Sequence, residues 1–346
     1  MPEPSEVIRQ QKFPYEFTEL ESEEKAEIAR LYEAPKDFVC VGPKKYKLLR
    51  PYIDDAANIY NMPLRDSDIF VATYQRSGTT WTQELVWLLA NNFDYARAAS
   101  ITLTERYKFL ELFMFFNKKW QENFIRNTED KATALAVIKK VATPLTDRLL
   151  SEPSPRFIKT HLPMSLLPPK LLDTAKVVYV ARDPRDVAVS SYHHSRLFKV
   201  LDFPNPFKDF WNLFIKDMFT LTPIFEHVKE AWELRHHPNM LFLFYEELSK
   251  DLPGTVRRVA DFLGKEVTPE QMAHLCDHLS IENFKKNFSV NFEEIREFGM
   301  LASDEKFIRK GKAGGWRDYF DEEMNEQAEK WIEENLRDTD LRFPHM

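Results

Sequence analysis

The stretch "VATYQRSGTTW", residues 71–81, carries the only glycine between Gly42 and Gly254 in a chain that has just 8. It closes the apolar run "DIFVATY" (residues 68–74) and leads into a helical pattern that starts near Thr79. On that pattern Trp81, Leu85, Leu88 and Leu89 share one face. An apolar run, a short loop with one glycine and an amphipathic helix make a strand–loop–helix unit. In an open parallel sheet such loops sit at the C-terminal strand ends, where ligands bind. The helix start offers unpaired N–H groups and the positive end of its dipole. Gly78 lets the backbone approach a bound group with no Cβ in the way. Thr79 and Thr80 supply hydroxyls, and Arg76 adds a charge fixed in the loop. The unit reads as an anion cradle; the plainer alternative is a strand-to-helix turn capped by Ser77.

Working outward, the same alternation recurs. "KVVYVARD" (176–183) runs into "PRDVAVSSYHH", with Asp183 placed as N-cap and Pro184 at the first helical position. "NMLFLFYEEL" (239–248) reads as a strand before a helix that ends at "DFLG", where Gly264 is the terminator. Thr268 and Gln271 form a capping box around Pro269. "RFIKTHLP" (156–163) is a shorter fourth strand. Strand and helix in turn predict an α/β fold with a central parallel sheet flanked by helices. No repeat or low-complexity linker interrupts it, so the expectation is a single domain over residues 1–346. Residues 1–50 are an N-terminal extension and residues 101–155 a helical insertion without a strand.

Composition narrows the function. A net charge of −7 disfavours a nucleic-acid backbone as partner. Cys40 and Cys276 are too few for a disulfide framework or a cysteine metal site. The adjacent pairs His193–His194 and His236–His237 point apart in regular structure, so no metal is expected. The polar N-terminus and the lack of any apolar run near the ~18 residues of a membrane span predict a cytoplasmic protein without membrane insertion. Against the acidic background stands "KFIRKGKAGGW" (306–316). Such a segment is either a solvated loop or a wrap for a phosphate. The 28 Phe, 12 Tyr and 7 Trp suit an apolar ligand cavity as well as a large core.

A nucleotide-triphosphatase P-loop requires G-x-x-x-x-G-K-[ST]. With its second glycine on Gly78, Thr73 and Thr79 occupy the essential glycine and lysine positions. The loop is therefore P-loop-like but built for another phosphate, which disfavours the competing reading of a nucleotide kinase. A non-catalytic carrier for an apolar ligand is the other competitor.

Taken in order, "YQRSGTTW", "KTHLP", "YVARDPRDVAVSSYHH", "FLFYEEL" and "FIRKGKAGGW" resemble the signature set of cytosolic sulfotransferases over about residues 50–340. "DAANIYNMPLR" and "WRDYFDEEM" are most similar to the insect, retinol dehydratase-like branch of that family. The resemblance implies transfer of a sulfuryl group from 3′-phosphoadenosine 5′-phosphosulfate (PAPS) to the hydroxyl of a small hydrophobic acceptor, with release of the bisphosphate PAP. The acceptor would be a phenol, a steroid or a retinoid-like alcohol. It implies His161 as general base, with Lys159, Arg76 and Ser190 around the transferred group. Arg76 stands where the family usually has lysine. The nucleotide would be held by Arg76, Ser77, Gly78, Thr79 and Thr80, with Arg182, Ser190, Phe307, Arg309, Lys310 and Gly311 about its 3′-phosphate. Trp81, Tyr245 and Ser280 would meet the adenine, although Leu279 and Ile281 depart from the usual Thr and Phe. The family's dimer motif would fall on Arg317, Asp321, Glu322 and Glu326 and is not retained, so a homodimer is possible but has no motif behind it.

His161 follows Arg76 by 85 positions, a longer gap than the family's usual one. Within it "YKFLELFMFF" (107–116) is too apolar for a solvated loop. Phe109, Leu112, Phe113 and Phe116 are expected to form a lid over an apolar acceptor beside His161; plain packing onto the core is the alternative. A dehydratase would sulfate an allylic alcohol and then lose sulfate to give an alkene, and both outcomes begin with the same transfer.

Overall fold

The computed structural model describes residues 12–32, 36–201, 203–297, 299–302 and 306–344. Most of the polar N-terminus, residues 1–11, lies outside the described residues.

Five strands form one parallel sheet: Ile69–Thr73 (β4), Lys108–Phe109 (β5), Phe157–Thr160 (β6), Lys176–Ala181 (β7) and Met240–Phe244 (β8), in the order β5-β6-β4-β7-β8. Nearly every residue of the three inner strands is buried, as expected for apolar runs covered by helices on both faces. Ahead of them Phe17–Glu19 (β1), Phe38–Val41 (β2) and Tyr46–Leu49 (β3) make a small antiparallel sheet. Val41, Tyr46 and Leu48 bury completely in the main core, so residues 36–50 pack as part of the body.

The register sets the functional edge. β4 lies between β6 and β7, with Ala72 opposite Thr160 and Thr73 opposite Val180, while Ala181 faces Phe244 across β7 and β8. The chain leaves β4 in one direction and returns on both sides, which makes the end of β4 a switch point. Arg76, His161, Arg182 and Tyr245 all follow their strands within three residues and meet there.

Several local expectations hold. Asp183 accepts from Arg185 N–H ahead of Pro184, Gly264 ends its helix at φ 66°, and Thr268 with Gln271 forms the capping box. Others need correcting. β8 stops at Phe244, because a helix over Tyr245–Lys250 starts at once, with Glu247 accepting from the Phe244 N–H. The insertion is not strand-free: β5 pairs with the edge of β6, and Leu110 N–H continues the ladder to Lys159 C=O. Two residues are too few to register as a periodic pattern. Gly78, at φ 99°, rather than Ser77, caps the helix Thr79–Ala90. That helix is buried nearly all round, including Glu84, whose carboxylate meets Arg106 at 2.7 Å and His278 at 2.8 Å. No helix among the described residues is long and apolar enough to cross a membrane.

The remainder of the insertion is helical, over Lys118–Asn127, Lys131–Val141 and Thr146–Ser151. It is tied back by Arg156, which is 2 % exposed. This guanidinium donates to both oxygens of Asp68, to Leu149 C=O and to Pro63 C=O. One side chain thus joins the entry to β4, the entry to β6 and the end of the insertion. Arg156→Ala leaves the buried Asp68 carboxylate without its countercharge, with only the Arg65 N–H donating to it, and should destabilise the fold by about 3–5 kcal/mol. Chemical denaturation would check this, and a loss below about 1 kcal/mol would show that the network is not a structural tie.

Candidate active site

One cavity of about 770 Å³ opens over the switch point. Its inner part is lined by Arg76, Gly78, Thr79, Thr80, Trp81, Arg182, Ser190, Tyr245, Ser280, Phe307, Arg309, Lys310 and Gly311. These came from five separate motifs in the chain.

The loop after β4 is shaped by close approach. Arg76 adopts a positive φ of 67°, which aims its side chain across the strand ends, and Gly78 follows at 99°. A Cβ on Gly78 would lie 2.6 Å from the Tyr245 ring; one on Gly311 would lie 2.2 Å from Ile281 Cδ1. Both glycines are therefore sterically required. Ile281, where the family usually has another residue, is the side chain that presses on Gly311. Trp81 donates its indole N–H to Leu279 C=O at 2.9 Å and stands 6.0 Å from the Tyr245 ring, so two aromatic side chains border a slot.

Cations dominate this part. Arg76 Nε donates to Ser190 Oγ at 3.1 Å, and its guanidinium lies 4.5 Å over the Phe307 ring. Arg182 lies 4.0 Å over Tyr245, donates to Arg76 C=O and Lys312 C=O, and faces Asp186 at 3.6 Å. The helix-start ion pair and the cavity position therefore coexist. The Nε of Arg182 is buried with no acceptor among the described residues. Arg309 donates to Tyr319 Oη at 2.9 Å, and Lys310 pairs with Asp318. No carboxylate pairs with Arg76, Lys159 or Arg309 among the described residues. Burial, followed by repulsion from Arg182 and Arg309, pulls Arg76 down to about 9. Burial likewise pulls Lys159 down to about 8. A cavity that depresses its own cations is short of negative charge.

Beside this cluster sits His161, directly after β6 and 6 % exposed. Its Nδ1 is 3.0 Å from Thr73 C=O. Thr73 Oγ1 is also 3.1 Å away; a carbonyl only accepts and a hydroxyl can accept, so a proton on Nδ1 satisfies both contacts and leaves Nε2 with a free lone pair. Burial, and then Lys159, hold the imidazole well below its usual range, so it is neutral. Behind it lies Glu111, 0 % exposed, which accepts from His161 N–H and from Thr160 Oγ. Lys159 Nζ stands 4.0 Å over the Phe109 ring, and that ring meets His161 edge-on at 5.2 Å.

Beyond His161 the cavity becomes apolar, lined by Phe109, Leu112, Phe115, Phe116, Val137, Val141, Phe198, Phe292, Ile295, Met300 and Phe307 among others. Of the lid candidates, Phe109, Leu112 and Phe116 line it. Phe113 does not: it packs into the main core, because the short 3-10 turn Leu112–Phe115 points successive side chains in different directions. Ser77, 1 % exposed, is likewise outside the lining.

The sequence reading missed Glu111, Thr73 and Tyr319. Glu111 did leave a signal, a lone carboxylate inside a ten-residue apolar run.

Comparison with known proteins agrees with this geometry. A family model described as the sulfotransferase domain matches residues 66–340. The chain belongs to the sulfotransferase family. It is 33% identical to luciferin sulfotransferase of Photinus pyralis, over 87% of this chain and 80% of that protein. A crystal structure of retinol dehydratase with androsterone and the inactive cofactor PAP is 55% identical, with a TM-score of 0.92, over 96% of this chain and 99% of that one. Another, with retinol and PAP, is 54% identical with a TM-score of 0.91 and the same coverage. The α/β sheet and single-domain architecture expected from the motifs are those of this sulfotransferase's structural neighbours.

Proposed function

We propose that this sulfotransferase moves a sulfuryl group from PAPS to the hydroxyl of a small hydrophobic acceptor, with His161 as base and PAP as product. The observation that carries the reading is a neutral imidazole with a free Nε2 placed between an under-neutralised cation cluster and an apolar chamber. The residues fit the nucleotide: the Gly78 loop opens the helix Thr79–Ala90 into the cavity among Arg76, Arg182 and Arg309, and the buried Nε of Arg182 has no acceptor among the described residues. The bound PAP in the neighbour structures supports the same assignment.

The roles follow from position. Gly78, Thr79 and Thr80 hold the 5′-phosphosulfate end at the helix start, with Arg76, and the buried Ser77 only shapes the loop behind them. Arg182, Ser190, Arg309, Lys310 and Gly311 take the 3′-phosphate beneath Phe307, while Trp81, Tyr245 and Ser280 frame the adenine. His161 Nε2 receives the acceptor's proton as its oxygen attacks sulfur in line. Lys159 and Arg76 offset the charge left on the departing phosphate. The cations that keep His161 neutral are themselves countered when the anionic donor enters, so the imidazole gains basicity as it is needed.

For the acceptor, Phe109, Leu112 and Phe116 with Val137 and Val141 wall the chamber, which makes the 101–155 insertion of this 1–346 domain its lid. Burying an apolar acceptor there is worth about 25 cal/mol per Å². Retinol and androsterone in the neighbour structures support an apolar alcohol. The alternative product, an alkene formed through a sulfated allylic alcohol, uses the same first step.

His161→Ala should lower turnover by about 10²-fold or more with nucleotide affinity nearly intact, and near-normal turnover would remove it as base. Calorimetry should find PAP binding at least about 10²-fold more tightly than AMP, since AMP leaves the Arg182 and Arg309 side empty. Lys159, near 8 in the free protein, is raised by the bound anion. PAP binding should therefore take up protons above pH about 8, and affinity should fall as pH rises from there. Equal affinities for the two nucleotides would discard the 3′-phosphate site. Val137→Asp puts a charge in the chamber wall. It should cut kcat/KM for a steroid alcohol at least about tenfold more than for a small phenol. An unchanged ratio would show that acceptors do not contact this wall.

A further inference from the structure

The helix Pro184–Leu197 presents a stripe to the cavity at every fourth residue: Asp186, Ser190, His194 and, at its C-cap, Phe198. Successive members are about 6 Å apart along the helix. Asp186 accepts from Gly314 N–H at 2.7 Å and Trp316 N–H at 2.9 Å, anchoring the basic segment. Ser190 holds Arg76 at the phosphate end. Phe198 belongs to the apolar chamber. His194 thus stands one turn beyond the phosphate region, at the reacting end of the acceptor space. Its ring lies 4.7 Å from Phe198 and 6.0 Å from Phe307.

The other buried or half-buried histidines near the site are committed. His161 is fixed by Thr73, His227 bonds Tyr179 Oη and His161 C=O at 2.8 Å each, and His193 bonds Tyr319 Oη at 2.7 Å. His194 makes no side-chain hydrogen bond among the described residues, and sulfuryl transfer has no use for it. His194 is half-buried and lines the cavity, so an imidazole with no protein partner among the described residues is left facing whatever occupies that space.

We propose that His194 is the proton acceptor of a second step at this site, in which the sulfate ester of an allylic alcohol is converted to an alkene. The proposal rests on the sulfotransferase reading above and extends it. In the first step the hydroxyl oxygen forms its bond to sulfur, the sulfur–phosphate bridging bond breaks toward PAP, and the hydroxyl proton goes to His161 Nε2. In the second the carbon–oxygen bond breaks, with its electron pair leaving on sulfate, and an allylic cation remains. A carbon next to that delocalised cation then gives its proton to a ring nitrogen of His194, and the C–H electron pair forms the new double bond. Net, alcohol and PAPS become alkene, sulfate, PAP and two protons, and nothing is oxidised or reduced. His161 cannot serve twice, since it still holds the first proton. Lys159 and Arg76 are cations. Glu105, at the chamber's edge, is engaged by Lys140. The Phe198 ring, 4.7 Å from His194 and part of the cavity lining, suits a transient cation, whereas Phe307 already carries Arg76 on one face. Burial, then Arg76 and Lys159, hold His194 well below its usual range. That keeps it unprotonated, and a hydrogen beside a carbocation is acidic enough for a weak base to remove.

The test compares wild type, His194→Phe and His194→Gln with PAPS and two kinds of acceptor. One is 4-nitrophenol, which has no elimination route; the other is an allylic alcohol, geraniol or retinol. Products are separated into sulfate ester, alkene and water-captured alcohol by mass. Both variants should lose alkene by about 10²-fold or more, with ester or water-captured alcohol in its place. Phenol sulfation should stay within about twofold of wild type. An unchanged alkene fraction, wild type that yields only the ester, or phenol sulfation lost together with alkene would each overturn the proposal. Absence of any PAPS-dependent product in wild type would instead count against the sulfotransferase reading. PAP affinity measured alongside confirms that each variant is folded.

Discussion

Positive charge held at one sheet edge without enough negative charge to match it governs this molecule. Arg76, Lys159, Arg182 and Arg309 converge from four distant parts of the chain, and the Asp186 carboxylate is shared between Arg182 and two backbone N–H groups. Burying cations in this way opposes folding unless a partner repays the desolvation. Under the proposed reading that partner is the anionic donor, which arrives from solution. Much of the surrounding structure supports that strained edge. The parallel register brings the strand ends level, Arg76 takes a left-handed backbone to reach Ser190, and the Phe307 ring shields its guanidinium.

The insertion does more than line the chamber. Its edge strand places Phe109 against both Lys159 and His161, and two residues later Glu111 braces the backbone of His161 from behind. Burial raises the Glu111 carboxyl to about 7. Its two hydrogen bonds and the nearby Lys159 oppose that shift, so its ionised form is favoured where Lys159 is charged. The surroundings of His161, Lys159 and the apolar wall are therefore set by one short segment, and the chamber cannot be reshaped without disturbing the imidazole that faces it.

How much of this the sequence disclosed depended on how local each cause was. The sheet was legible because β4, β7 and β8 are uninterrupted apolar runs with helix starts behind them, and Asp183 and Thr268 cap as their neighbours dictate. The loop-to-helix turn after β4 was legible because Gly78 is so isolated. Glu111 was hidden, since its role requires β5 to pair with β6, and a two-residue strand leaves no periodic trace. Phe113 read like its neighbours, yet one tight turn sends it into the core while Phe116 reaches the cavity. His194 was visible only as half of a pair whose side chains diverge. Which half would enter the cavity depended on Ser190 one turn earlier, and what lay opposite was set by a segment more than a hundred residues away.

The two halves of the cavity share walls, and this links donor to acceptor. Phe307 lies over Arg76 on the phosphate side and faces His194 and Phe292 on the chamber side. Lys159 touches the nucleotide region through its charge and the lid through the Phe109 ring. Filling the phosphate site with an anion therefore relieves repulsion among side chains that also shape the chamber. Under the proposed reading no separate relay would be needed between donor and acceptor, because Phe307 and Lys159 border both halves of the cavity. An anion beside Arg76 and Arg309 would offset their mutual repulsion next to the Phe307 ring.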